Sequence, residues 1–125
     1  MAKLHKWLKV PLYSANLCLI ATADHAHERF GLPVEDNWGG CAGFGTNGYS
    51  DSDHFLVISA KKHYTMDVLA HEATHVSWHI LDQMGVKLSA DNHEAQTYLI
   101  SWIMRESIKF FDKAFQDAEA DTGKN

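Results

Sequence analysis

Apolar positions along the chain change period from place to place. Asn16–Ala21 contains a continuous apolar run, Leu17–Ala21, which predicts a strand inside a sheet. His54–Ala60 (HFLVISA) is rich in β-branched and aromatic residues and predicts a second strand, and Val10–Tyr13 a third, shorter one. His25–Phe30 reads as a short helix, capped by Asp24 and closed by Gly31 and Pro33. From Thr65 the period becomes helical. Met66, Leu69, Ala73, Val76, Ile80 and Met84 share one side, and His71, His75, His79 and Asp82 share the other. Thr65 is the expected N-cap and Gly85 the expected stop. A second long helix opens near Asp91 and runs past Phe115. It is apolar over most of its circumference, so a central, buried position is expected. One strip, Glu94, Ser101, Arg105 and Asp112, stays polar to within about 20° of a line. On a buried helix such a strip must meet water, a partner or a metal. Trp38–Asp53 holds five of the eight glycines and reads as an irregular loop; its Gly39–Gly48 part lacks the GK[ST] ending of a phosphate loop. The expected fold is α+β, with a small sheet of about three strands on two long helices and one short one. It forms one domain over residues 1–118, and the small, polar tail 119–125 is expected to fray.

Composition narrows the function classes. The 125 residues suit a single domain, and 46% apolar with 22% charged residues is ordinary globular usage. Eleven basic against sixteen acidic residues give −5, a poor basis for binding nucleic acid through its phosphates. No apolar run approaches the roughly 20 residues of a membrane span. Lys9, Pro11 and Asn16 interrupt any signal-peptide core, so the cytoplasm is the expected compartment, with Cys18 and Cys41 as reduced thiols. Nine histidines are the anomaly, because imidazole is the commonest metal ligand.

Five residues give that anomaly a chemistry. His71-Glu72-Ala73-Thr74-His75 is an HExxH motif. Residues four apart on a helix lie one turn, about 6 Å, apart on one face. Both imidazoles then reach one zinc ion at roughly 2.0–2.1 Å, while Glu72 in a neighbouring sector contacts a metal-bound water without ligating. A third protein ligand is needed, and the fourth position is left for the water.

Eighteen residues separate His75 from Glu94, which stands in the segment DNHEAQTY at 91–98. With HEATH at 71–75 this resembles the gluzincin branch of zinc metallopeptidases, in which a glutamate on the following helix is the third ligand. The chain looks like a minimal, single-domain gluzincin (a minigluzincin), and is also similar to small phage-encoded HExxH proteins. The resemblance covers residues 69–105. It implies a zincin-like fold, one Zn2+ per chain on His71, His75 and Glu94, and hydrolysis of a peptide or protein substrate with Glu72 as general base. It also places the strand before the zinc helix at the sheet edge above the metal. Tyr98, one turn after Glu94, is the candidate phenol for stabilising the tetrahedral intermediate, against an ordinary tyrosine at the edge of the core. Larger gluzincins close their cleft with a second domain, so a protein partner completing the cleft is an open expectation here.

Each assignment has a competitor. Asp91 and Glu94 have the spacing of a capping box, which explains Glu94 without a metal. His93 is the rival third ligand. His79 lies about 12 Å from His71 on a straight helix, too far to share one ion. The competing function is a zinc-binding zincin-fold protein that acts by protein interaction without catalysis.

Overall fold

The structure, a computed structural model, describes residues 3–35 and 37–122. In chain order the elements are β1 (His5–Lys9), β2 (Asn16–Ala21), α1 (Ala23–Phe30), β3 (Gly40–Phe44), β4 (Asp53–Ile58), a single 3-10 turn at Lys61–His63, α2 (Met66–Gln83) and α3 (His93–Thr122). The fold is α+β. Its sheet has four strands in the order β1-β2-β4-β3, with β2 and β4 parallel and both outer pairs antiparallel.

The central pair explains the continuous apolar runs, because both faces are covered. Leu17, Leu19, Ala21, Leu56 and Ile58 point into a core shared with Leu69, Ala73, Val76 and Ile80 of α2 and Leu99, Ile103 and Phe111 of α3. Cys18, Ile20, Phe55 and Val57 point the other way, toward Ala26 and Phe30 of α1 and Leu32. Both cysteines are free thiols, and burial pushes that of Cys18 up to about 12.

Two strands fall elsewhere than the pattern predicts. Val10–Tyr13 is a turn: Val10 N–H donates to Ala15 O, and Leu12 sits at φ 71°, which no strand residue adopts. The strand comes earlier, at His5–Lys9, where Lys6 and Lys9, one on each face, mask the period. The glycine-rich segment read as a loop contains β3, GCAGF. As a result the strand expected at the sheet edge, now β4, is interior, and β3 holds the edge beside α2.

The helices are closer to expectation. α1 is capped by Thr22, whose Oγ1 accepts from His25 N–H at 3.1 Å, so Asp24 lies inside the first turn. Gly31 closes it in the left-handed conformation. Thr65 caps α2, accepting from Val68 N–H at 3.4 Å, and Gly85 follows its end at φ 76°. α3 starts at His93 and puts Asn92 at the cap position, so the Asp91–Glu94 capping box is one residue out of register. Asn92 Oδ1 instead accepts from Ser89 N–H, upstream of the helix. α3 continues to Thr122, past the start of the expected tail; residues 123–125 lie outside the described ones.

Two contacts fix how α3 lies along α2. Gln96 Nε2 donates to Ser77 Oγ at 3.2 Å, and Tyr64, just before α2, donates to Asp112 Oδ1 at 2.5 Å. Tyr64 also packs on Phe111 and Phe115. The two helices are therefore antiparallel. Among the described residues no helix is long and apolar enough to cross a membrane.

Candidate metal centre

The helical period sends Leu69, Ala73, Val76 and Ile80 into the core, and so holds His71 and His75 on the exposed side of α2. Their Nε2 atoms are 3.2 Å apart, with ring centroids at 4.7 Å and planes at 78°. Two vertices of a zinc tetrahedron with Zn–N of 2.0–2.1 Å stand about 3.3–3.4 Å apart. The separation of the pair is thus that of two ligand positions on one tetrahedral zinc ion, and also that of an imidazole–imidazole hydrogen bond.

Glu72 lies around the helix from the pair, toward the sheet, and is 8% exposed. Its side chain runs beneath the first residue of β3. A Cβ added to Gly40 would stand 2.9 Å from Glu72 Cγ and 2.8 Å from Val57 O. Gly40 is thus a position of close approach between strand and helix. Burial raises the pKa of the Glu72 carboxyl, and the neighbouring His71 and His75 pull it partly back. A carboxylate whose pKa is raised is a better proton acceptor than an ordinary surface glutamate.

β3 is the element beside the histidine pair that the sequence pattern missed. Ser59 N–H donates to Gly39 O and Gly45 N–H to Asp53 O. Antiparallel pairing alternates, so Cys41 and Gly43 face β4 with their backbone groups. Gly40, Ala42 and Phe44 turn theirs toward the open edge beside α2. The sequence offered only a run of small residues ending in Phe44, GCAGF, which is hard to tell from a loop.

His79 extends the histidine row. Its ring lies 6.3 Å from that of His75 and 5.0 Å from that of Phe44 at the end of β3. Its pKa is lowered, mainly by burial. Deeper still, His54 is fully buried, with Nε2 3.1 Å from Gln83 Oε1.

The remaining candidates are not brought to the pair. Gln96 faces α2, and Glu94, two residues earlier, points about 200° around the helix from it. Glu94 is exposed, as are Ser101, Arg105 and Asp112 along the same line. The polar strip of α3 therefore meets water, and at Asp112 it meets Tyr64. His93 is also exposed. Among the described residues no three His, Cys, Asp or Glu side chains form a group that could hold a metal, so Glu94 as placed does not complete the site. Tyr98 is 74% exposed and lines a groove with Leu12, Tyr13 and Trp102 at the β1–β2 turn. It too lies about 200° from Gln96, on the outward side of α3.

No family model, curated protein or solved structure matches the chain.

Proposed function

We propose that the protein is a zinc-dependent peptidase of the zincin type, with His71 and His75 holding the metal and Glu72 acting as general base. The observation that carries this reading is the pair of Nε2 atoms at 3.2 Å beside a buried carboxyl of raised pKa. When bound, zinc supplies Lewis acidity and brings the pKa of a coordinated water toward 7. Glu72 accepts the proton lost by the attacking water and returns it to the leaving nitrogen, so its carboxyl needs a pKa above that of a surface glutamate. The outward backbone groups of Gly40, Ala42 and Phe44 hold an extended substrate by strand addition and lay its carbonyls along the histidine row.

Glu94 becomes the third ligand, as in a gluzincin, if the first turn of α3 rotates by about half a revolution. Its outward position favours a second reading, in which the two histidines hold zinc at an interface and a protein partner supplies the missing donor. One comparison decides between them. Zinc content is measured by elemental analysis after gel filtration. Cleavage of an unbiased peptide library is then read by mass spectrometry for wild type, Glu72→Gln and chelated protein. The peptidase reading expects about one zinc per chain, and cleavage that disappears in both controls. Cleavage persisting equally in Glu72→Gln, or zinc well below half-stoichiometry after reconstitution, overturns it.

A further inference from the structure

Among the described residues the two most exposed large apolar side chains are Leu12, at 98%, and Tyr98, at 74%. They belong to one patch. Leu12 stands on the β1–β2 turn, and with Pro11, Tyr13 and Trp102 it borders the groove that Tyr98 lines on the outward side of α3. Single apolar residues scattered over a surface are ordinary, whereas a contiguous exposed patch marks an interaction site. Leu12 is also held at φ 71°, in the left-handed region that disfavours a side chain. The turn thus keeps a strained backbone and presents a leucine that touches little of its own chain.

This patch flanks the exposed line of α3. Glu94, Tyr98, Ser101 and Arg105 are all exposed, and they follow at spacings of four, three and four residues. They lie within about 60° of arc, the width of a seam that one helix offers to another. The order of spacings is the same from either end. Turning a second copy end over end, about a point midway between Tyr98 and Ser101, sets Tyr98 opposite Ser101 and Glu94 opposite Arg105, each pair twice. Along their own helix Glu94 and Arg105 are about 16 Å apart, too far to pair. Among the described residues neither has an ion-pair partner. Parallel pairing would set like charges together, so the line is complementary to itself in the antiparallel sense alone. The two-fold axis of such a pair leaves both β1–β2 turns on the same side of the seam, where Leu12 of each copy meets Tyr98 and Trp102 of the other.

We infer that this face is a homodimer interface: two copies pair antiparallel through α3, with Glu94 of each opposite Arg105 of the other and Leu12 of each packed on the other's Tyr98. The helical seam alone is short against the roughly 1,200–2,000 Å² that a stable interface buries, and the turns extend it only partly, so the affinity expected is micromolar. The inference is independent of the metal reading, because the face lies on the side of α3 away from His71 and His75.

The test is sedimentation velocity of the full chain between about 1 and 200 µM, with zinc and again with chelator. Wild type should pass from monomer to dimer across this range, equally in both conditions, and less readily as salt is raised. Glu94→Arg and Arg105→Glu should each weaken the dimer about 10-fold, since each sets like charges together twice; the double variant should return to within about threefold of wild type. Leu12→Gly separates interface from fold. Glycine is at ease at φ 71°, so this variant should melt at or above wild type in dilute solution, while its dimer weakens about 10-fold or more. A monomer at every concentration, a dimer that chelation dissolves, or single charge variants that the double variant does not rescue overturns the inference. So does a Leu12→Gly dimer as tight as wild type.

Discussion

Two glycines on one short strand offer a controlled test of how β3 and Glu72 are joined. At Gly40 an added methyl meets two neighbours inside 3.0 Å, and one of them, Val57 O, is backbone of the central strand β4. That carbonyl is tied into the sheet and cannot retreat. The other, Glu72 Cγ at 2.9 Å, can move, but only by shifting the carboxyl. At Gly43 an added methyl meets nothing within 4 Å. Overpacking at a close-packed position costs about 1–3 kcal/mol. Replacing glycine in a strand where there is room gains up to about 1 kcal/mol from reduced chain entropy. For a domain of this size 1 kcal/mol moves the melting temperature by about 3–5 °C. Gly40→Ala should therefore melt about 3–15 °C lower, and Gly43→Ala at or slightly above wild type. Thermal unfolding followed by circular dichroism reads this difference. If the protein is a peptidase, Gly40→Ala should also lose more turnover than zinc, because it displaces the base and leaves the exposed His71–His75 pair in place. Equal melting temperatures for the two variants would refute the close approach of Gly40 to Glu72 and Val57.

Other outcomes follow from the same geometry. Glu94→Gln should leave zinc affinity within about threefold, less than 1 kcal/mol, while His75→Gln abolishes stoichiometric binding; calorimetric titration with zinc checks both, and loss of binding in Glu94→Gln would show that α3 turns to deliver its carboxylate. Tyr64→Phe removes the hydrogen bond to Asp112 but keeps the packing on Phe111 and Phe115, so urea unfolding should show a loss of about 1 kcal/mol. Burial lowers the pKa of His54 in the folded protein, so the unfolded chain binds that proton more readily. Its contribution to stability is then present above about pH 6.5 and is lost as the pH falls from there through the folded pKa; His54→Phe should flatten that part of a melting-temperature profile measured against pH.

What could be read from the sequence was whatever a single element determines. The caps and stops of α2 are local, and Thr65 and Gly85 stand where their chemistry says they should. The apolar run of β2 was legible because burial on both faces leaves no polar position to interrupt it. β1 and β3 were not. Both are edge strands, with one side exposed or facing a helix, so lysines in β1 and glycines in β3 replace the apolar residues that reveal a strand. Gly40 is the sharper case. The close approach that excludes a side chain there is the same feature that made the segment look like a loop.

The candidate site divides along the same boundary. The separation of His71 and His75 is set by one helical turn, so counting residues was enough to place two imidazoles within reach of one ion. The position of Glu94 depends on two further quantities, the path of the connection from Met84 to Asn92 and the rotation of α3 about its own axis. Eighteen intervening residues do not specify either. The rotation is set by burial: Leu99, Ile103, Phe111 and Ala114 must face the core, and Gln96 follows them toward Ser77. With that face fixed, Glu94, Ser101 and Arg105 must face water together. Delivering Glu94 to the histidines with the whole of α3 would expose Leu99 and Ile103, each worth roughly 1.5–3 kcal/mol of burial. The carboxylate can therefore reach a metal only by rearrangement of the first helical turn, ahead of those core residues. That turn also holds His93, about 100° around the helix from Glu94, so a rotation that brings Glu94 forward carries the rival third ligand away.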